Sequence, residues 1–203
     1  TWPSLEAQVA AIADDIAYDN HDIDDGLRAG ILDLDALLEV PLVARLWRAI
    51  ERRHPGLDRE RMVKALVRDG IGTMVGDVLA ETVRRVGEAG VENPAEVRAV
   101  GLPLVGFSPE MAAEERTVKA FLYANLYDSP PLRPVRDEAQ RVIVNLARVL
   151  GERPELLPDG WPRGDDALAQ GRSIGDFIAG MTDRYAVRCH ERWVGPVTLP
   201  EKF

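Results

Sequence analysis

Six aspartates, one histidine and one tyrosine crowd into the fourteen residues from Ala13 to Gly26, ADDIAYDNHDIDDG. Ionised carboxylates at this density can ligate a divalent cation or accept hydrogen bonds from hydroxyl groups. They can equally form a solvated helix face. Asp14, Tyr18 and Asp22 recur at steps of four, so a helix stacks them along one side, with Asp25 close to the same line. Leu5, Val9, Ile12 and Ile16 take the opposite side, which predicts a buried stripe of helical period. Ala7 and Ala11 precede the acidic row by one and two turns, and their small side chains allow a helix or a ligand to approach closely. A helix held by its apolar side and offering carboxylate, phenol and carboxylate on the other is a candidate wall of a polar pocket. Farther along, Lys119 and Tyr127 lie eight residues apart and are predicted to share the face of a second helix.

Helical periodicity dominates the rest of the chain, and no useful alternating pattern predicts a strand. The expected fold class is all-α. Ser4 is a fair N-cap for the first helix, which should run to the turn at Gly26. A short helix interrupted at Pro41 and a second one ending before Pro55-Gly56 should follow, then a long amphipathic helix from about Asp58 to Ala89. Residues 93–110 contain three prolines and are expected to form a surface loop. Three further helices are predicted, in MAAEERTVKAFLYANLYDSP, VRDEAQRVIVNLARVLGERPELLP and, past the LPDGWPRGDD turn, IGDFIAGMTDRYAVRCHERW.

With 203 residues, of which 46% are hydrophobic, the chain can bury a substantial core. Its 34 acidic against 25 basic residues give a net charge of −9, a field that repels nucleic acid backbones and anionic membranes. Any phosphate ligand must therefore be held by local cations or by a metal. The single Cys189 excludes an internal disulfide, and Cys189 and His190 are adjacent, which is not a chelating spacing; a cytoplasmic setting is expected. No apolar run is long enough to span a bilayer, and the first residues do not read as a signal peptide. The sequence starts at Thr1, as expected of part of a longer polypeptide.

Several familiar patterns fail on spacing. A calcium loop starting at Asn20 would place Asp25 where glycine is needed and Ile31 where the bidentate glutamate is needed. The stretch GIGTMVG follows no strand, so close helix packing accounts for its glycines better than a dinucleotide fingerprint does. His21, His54 and His190 are scattered and are expected at the surface or at helix ends. No serine has the flanking glycines of a nucleophile elbow.

The segment PSLEAQVAAIADDIAYDNHDIDDGLRAG resembles the last metal-ligand helix of the bacterial dGTPase-like deoxynucleotide triphosphohydrolases, within the HD phosphohydrolase superfamily. LVRDGIGTMVGDVLAET, VKAFLYANLYDSPPL, PELLPDGW and DFIAGMTDRYA resemble later segments of that family in the same order. The resemblance implies an HD-type helical bundle, here its C-terminal portion. Residues 1–30 would be the last metal-ligand helix of the core and 31–203 the C-terminal helical region, all in one unit.

The family's metal site combines a His, a His-Asp pair and a final Asp, and the final Asp matches Asp14. By the same resemblance Tyr18 would contact phosphates and Asp22 the sugar 3′-hydroxyl. Lys119 would grip the triphosphate, and Tyr127 would lie near the deoxyribose, where a 2′-hydroxyl would be crowded. Asp183 and Arg184 match a family marker and are expected to tie down the last helix as an ion pair. No histidine precedes Asp14, so the His and His-Asp ligands are expected from a missing N-terminal half, and this segment alone is expected to be inactive.

The implied reaction is metal-dependent hydrolysis of a dGTP-like deoxynucleoside triphosphate to deoxynucleoside and inorganic triphosphate. The implied ion is Mn²⁺ or Mg²⁺, with other transition metals able to fit, and the implied assembly is a homo-oligomer with no membrane or nucleic acid partner. Two alternatives stand beside it: an HD phosphohydrolase acting on another nucleotide, and a non-catalytic helical module for binding or oligomerisation.

Overall fold

Side-chain caps set most of the helix starts, each satisfying backbone amides that the first turn leaves unpaired. In the computed structural model, which describes residues 2–198, Ser4 accepts the Ala7 amide and opens α1, Leu5–Arg28. Asp33 caps the short α2, Leu34–Leu37. Pro41 begins α3, Pro41–Arg53, at a position where its missing N–H costs nothing. Asp58 caps the long α4, Arg59–Ala89, which stops at Gly90 in the left-handed conformation with φ 62°. All described elements are helical, and no strand occurs among the described residues.

The region expected to be a loop over 93–110 contains a helix, α5, Pro94–Ala99. Asn93 accepts the amides of Ala95 and Glu96 at 3.1 Å each, and proline at the first position favours the helical φ, so the proline that suggested a loop starts a helix instead. Ser108 then caps α6, Pro109–Leu122. The chain continues from α6 into a π-helical turn, Tyr123–Tyr127, closed by the Asp128 amide on the Tyr123 carbonyl at 3.0 Å. Beyond it lie α7, Arg133–Glu152, and a 3₁₀ turn, Pro154–Leu156. The last predicted helix is two: α8, Ala167–Ala179, ends at Gly180, and Thr182 caps α9, Asp183–Trp193.

The sequence reading takes these helices as one unit; they fall into two compact units, Thr1–Ser129 and Pro130–Phe203, parting at a pair of prolines. In the first, α1 and α3 both pack on α4, and α6 packs on α1 and α3. Leu42, Val43, Leu46 and Ile50 form the buried stripe of α3, and Leu37, Met74 and Leu122 are almost fully enclosed beside it. In the second, α7 packs on α8 and α9. Val149, Leu150, Leu157, Ile174 and Phe177 form its core, with Trp161 edge-on to Phe177 at 5.3 Å.

His190 lies at a helix end, one of the two expected placements, but away from the surface. It is fully buried in the last turn of α9, with Nδ1 2.8 Å from the Gly195 carbonyl and Nε2 3.1 Å from the Asn145 amide nitrogen. Nδ1 must carry a proton to donate to that carbonyl, so the imidazole anchors the chain leaving the helix. No ion pair of Asp183 or Arg184 occurs among the described residues, so the last helix is tied down by His190 and by Cys189 against Leu146, not by those charges. No helix among the described residues is long and apolar enough to cross a membrane.

Candidate functional site

The inner side of α1 is more polar than its leucines and valines suggest. Ile12 and Ile16 turn inward, but Val9 is 48% exposed, and the buried line runs on through Asp19, Asn20, Ile23 and Gly26. Gln8 joins them because its Oε1 accepts the amides of Leu104 and Val105 at 2.9 and 3.1 Å, fixing the segment that leads into α6. Asn20 donates to the Ile16 carbonyl at 2.8 Å and sits against Gly70 of α4, where a Cβ would collide with its amide oxygen. Close packing therefore explains Gly70, whereas Gly72 and Gly76 of the same stretch face open space.

Two acids on α4 fix where α6 begins. Asp77 accepts the Ser108 amide at 2.8 Å and its hydroxyl at 2.7 Å. Glu81 holds the Arg85 guanidinium, which donates to the Phe107 carbonyl at 2.7 Å and lies against Gly106. Bonds from Arg84 and Arg85 hold the Glu81 carboxyl down at about 2.

So positioned, α6 lays its polar side along α1. The predicted row on α1 faces outward: Asp14 and Asp25 are exposed, Tyr18 is 60% exposed and Asp22 is half-buried. Tyr127 donates its hydroxyl to the Asp22 carboxylate, joining two of the predicted residues. Burial, then the Asp22 bond, raise the phenol above its ordinary range, so it stays protonated. Tyr123 packs edge-on to Tyr127 at 5.2 Å. Lys119 reaches Asp15 at 3.2 Å and Glu115 at 2.5 Å. Burial disfavours its ammonium form, but the bonds to Glu115 and Asp15 outweigh that and raise its pKa.

The structure thus brings Lys119 to the residue beside Asp14, and Tyr127 onto Asp22, but it pairs neither with Tyr18. In an unbroken α-helix, Tyr127 would stand about 80° around the axis from Lys119. The wider π turn takes back part of that rotation and turns the phenol toward α1.

Sequence reasoning missed Asp15, Asp19 and Glu115. Asp15, Asp19 and Asp22 at steps of four and three, and Glu115 four before Lys119, are helical spacings that were legible; that these faces meet was not. Asp19 is only 3% exposed and one of its oxygens has no hydrogen-bond partner. Burial pushes its carboxyl up to about 7; Lys119 opposes the rise, and Glu115, Asp15 and Asp22 add to it. No group of three or more His, Cys, Asp or Glu side chains suited to a metal ion occurs among the described residues.

Residues 105–192, from the approach to α6 through most of α9, match the phosphohydrolase-associated domain. Across the chain, a deoxyguanosinetriphosphate triphosphohydrolase-like protein of Parvibaculum lavamentivorans is 44% identical over 195 residues, covering 95% of this chain and 49% of the relative. Proteins of the same description from Brucella ovis and Caulobacter vibrioides are 48% and 40% identical, covering 94% and 95% of this chain and 48% and 50% of theirs. The chain spans about half the length of the curated relatives it matches, and over that extent it is a homologue of the deoxyguanosinetriphosphate triphosphohydrolase-like proteins.

Proposed function

We propose that this chain is the C-terminal, substrate-facing half of a hydrolase that converts a dGTP-like deoxynucleoside triphosphate to deoxynucleoside and inorganic triphosphate. The observation that carries the reading is the α1–α6 seam, where the acidic row of α1 meets a lysine and a tyrosine from a second helix. Relatives named for this activity support it.

In this reading Asp22 uses one oxygen for the Tyr127 hydroxyl and accepts the sugar 3′-hydroxyl on the other. The Tyr127 ring stands beside the sugar and crowds a 2′-hydroxyl. An ammonium has three N–H donors; two of those on Lys119 are taken by Asp15 and Glu115, and the third serves a phosphate oxygen. The exposed Tyr18 phenol donates to the same phosphates.

Asp14 by itself does not fit a catalytic metal site, since one carboxylate cannot fix a divalent ion's geometry. Our proposal gives Asp14 the role of one ligand for Mn²⁺, Mg²⁺ or another transition metal, with a His and a His-Asp pair supplied by the remaining half of the family's length. When bound, such an ion offsets charge developing on the attacked phosphate.

The test is triphosphate release from dGTP by the whole protein with Mn²⁺ or Mg²⁺. Asp14→Ala should lower the rate by at least about 100-fold, the loss of roughly 2.7 kcal/mol of transition-state stabilisation. Undiminished release by that variant would remove Asp14 from the site. The lack of a convergent ligand group among the described residues favours, as a second reading, a non-catalytic helical module. That reading predicts no release by the whole protein with any dNTP and either ion.

A further inference from the structure

Asp19 has no role in the site as described, although it lies between Asp15 and Asp22 on the side of α1 that meets α6. It is 3% exposed, and its Oδ2 makes no hydrogen bond. Among the described residues, the charged and titratable groups coupled to it most strongly are Asp15 and Asp22 on α1, Glu115 and Lys119 on α6, and Tyr127 on the π turn. The α3 and α4 sides bring only uncharged residues, Leu42, Leu46, Gly70 and Met74 among them, around a cavity of about 20 Å³ that has room for one water. Among the described residues Lys119 is the cation that acts most strongly on Asp19, and its ammonium is bonded to Asp15 and Glu115 instead.

A buried carboxylate needs a compensating charge, and here it must compete for one that two other acids already hold. When Asp19 carries a proton, nothing draws the ammonium inward, and Lys119 stays where Asp15 and Glu115 place it. When Asp19 loses its proton, the nearest available compensation is Lys119. We propose that Asp19 is a positioning residue whose proton keeps the Lys119 ammonium at the outer end of the seam, within reach of an anionic phosphate, and whose ionisation withdraws it. This rests on the reading of Lys119 as a phosphate contact and adds to it a control of substrate binding by pH. The change falls near neutrality, because burial and the neighbouring carboxylates push the Asp19 carboxyl up to about 7.

The experiment measures KM and kcat for dGTP against pH in the whole protein and its Asp19→Asn variant, whose amide keeps the shape of the protonated acid and cannot ionise. In the wild type KM should rise roughly tenfold between about pH 6 and pH 8.5, the low end for loss of a charge-assisted hydrogen bond, with kcat following the same course as in the variant. In Asp19→Asn the KM should keep its low-pH value throughout. A variant that retains the wild-type rise in KM overturns the proposal and leaves the assigned function standing.

A second measurement needs neither turnover nor a variant that folds: NMR titration of the Asp19 carboxyl carbon and the Lys119 ammonium nitrogen in the wild-type protein. A Lys119 signal that moves with the Asp19 titration supports the coupling even if the whole protein releases no triphosphate, a result that would sink the functional reading alone. A Lys119 signal indifferent to Asp19 overturns the proposal.

Discussion

The phenol of Tyr127 and the carboxylate of Asp22 are the two predicted site residues whose contact is direct, and the carboxylate helps keep the phenol protonated. Removing the ring should separate affinity from selectivity: Tyr127→Ala is expected to lower turnover of dGTP and raise the GTP to dGTP ratio of kcat/KM, measured by product release in the whole protein. Asp19 makes a prediction about stability. Its carboxyl is raised to about 7 from an unfolded value near 4, so the folded state binds the extra proton between those limits. That contribution is fully present below about pH 4 and is lost as pH rises through about 7. Chemical denaturation at pH 5 and pH 8 should show a loss on the order of 2–4 kcal/mol in the wild type that is absent from Asp19→Asn. Residue types and spacing made Asp14, Tyr18 and Asp22 legible as one row. Nothing in the spacing could say that Asp19, an aspartate like its neighbours, would be the one taken out of water.

Between elements, contact is governed by what each helix allows its neighbour to approach. Gly70 lets the Asn20 amide lie on the α4 backbone, so Gly70→Ala should overpack the α1–α4 contact and cost about 1–3 kcal/mol. Gly76 lies on the same helix in open space, and Gly76→Ala should gain about 0.5–1 kcal/mol from helix propensity alone. Thermal melts of the two variants should therefore move in opposite directions. Asp77 holds the first turn of α6 through Ser108, and Asp77→Ala should speed hydrogen exchange at the Met111 and Ala112 amides while leaving α7 unaffected. Helix positions were largely readable because caps and prolines are local signals: Ser4, Asp58 and Pro41 each act within one turn. The failures were also local. Pro94 read as a loop residue until Asn93 is seen capping α5, and the last predicted helix ran on through Gly180 until Thr182 is seen starting α9.

At the scale of the whole molecule, the chain divides into two compact units and spans about half the length of the relatives it matches. The chain alone should release no triphosphate from any dNTP with Mn²⁺ or Mg²⁺, whereas the whole protein should; turnover by the isolated chain would show that Asp14 needs no partners. Which helices share a core was not legible, because an apolar stripe says that a face is buried and not against what. The π turn was not legible either, and it leaves a trace of a different kind. A π turn holds one residue more than an α-helix needs to cover the same path. Deleting one residue usually damages a helix by rotating everything after it, but deleting Asn125 would let α6 run on as an ordinary helix and swing the Tyr127 phenol away from Asp22. A single-position gap here, in an otherwise well-aligned relative, would mark a protein that keeps every side chain of the acidic row and has lost the tyrosine's place beside it.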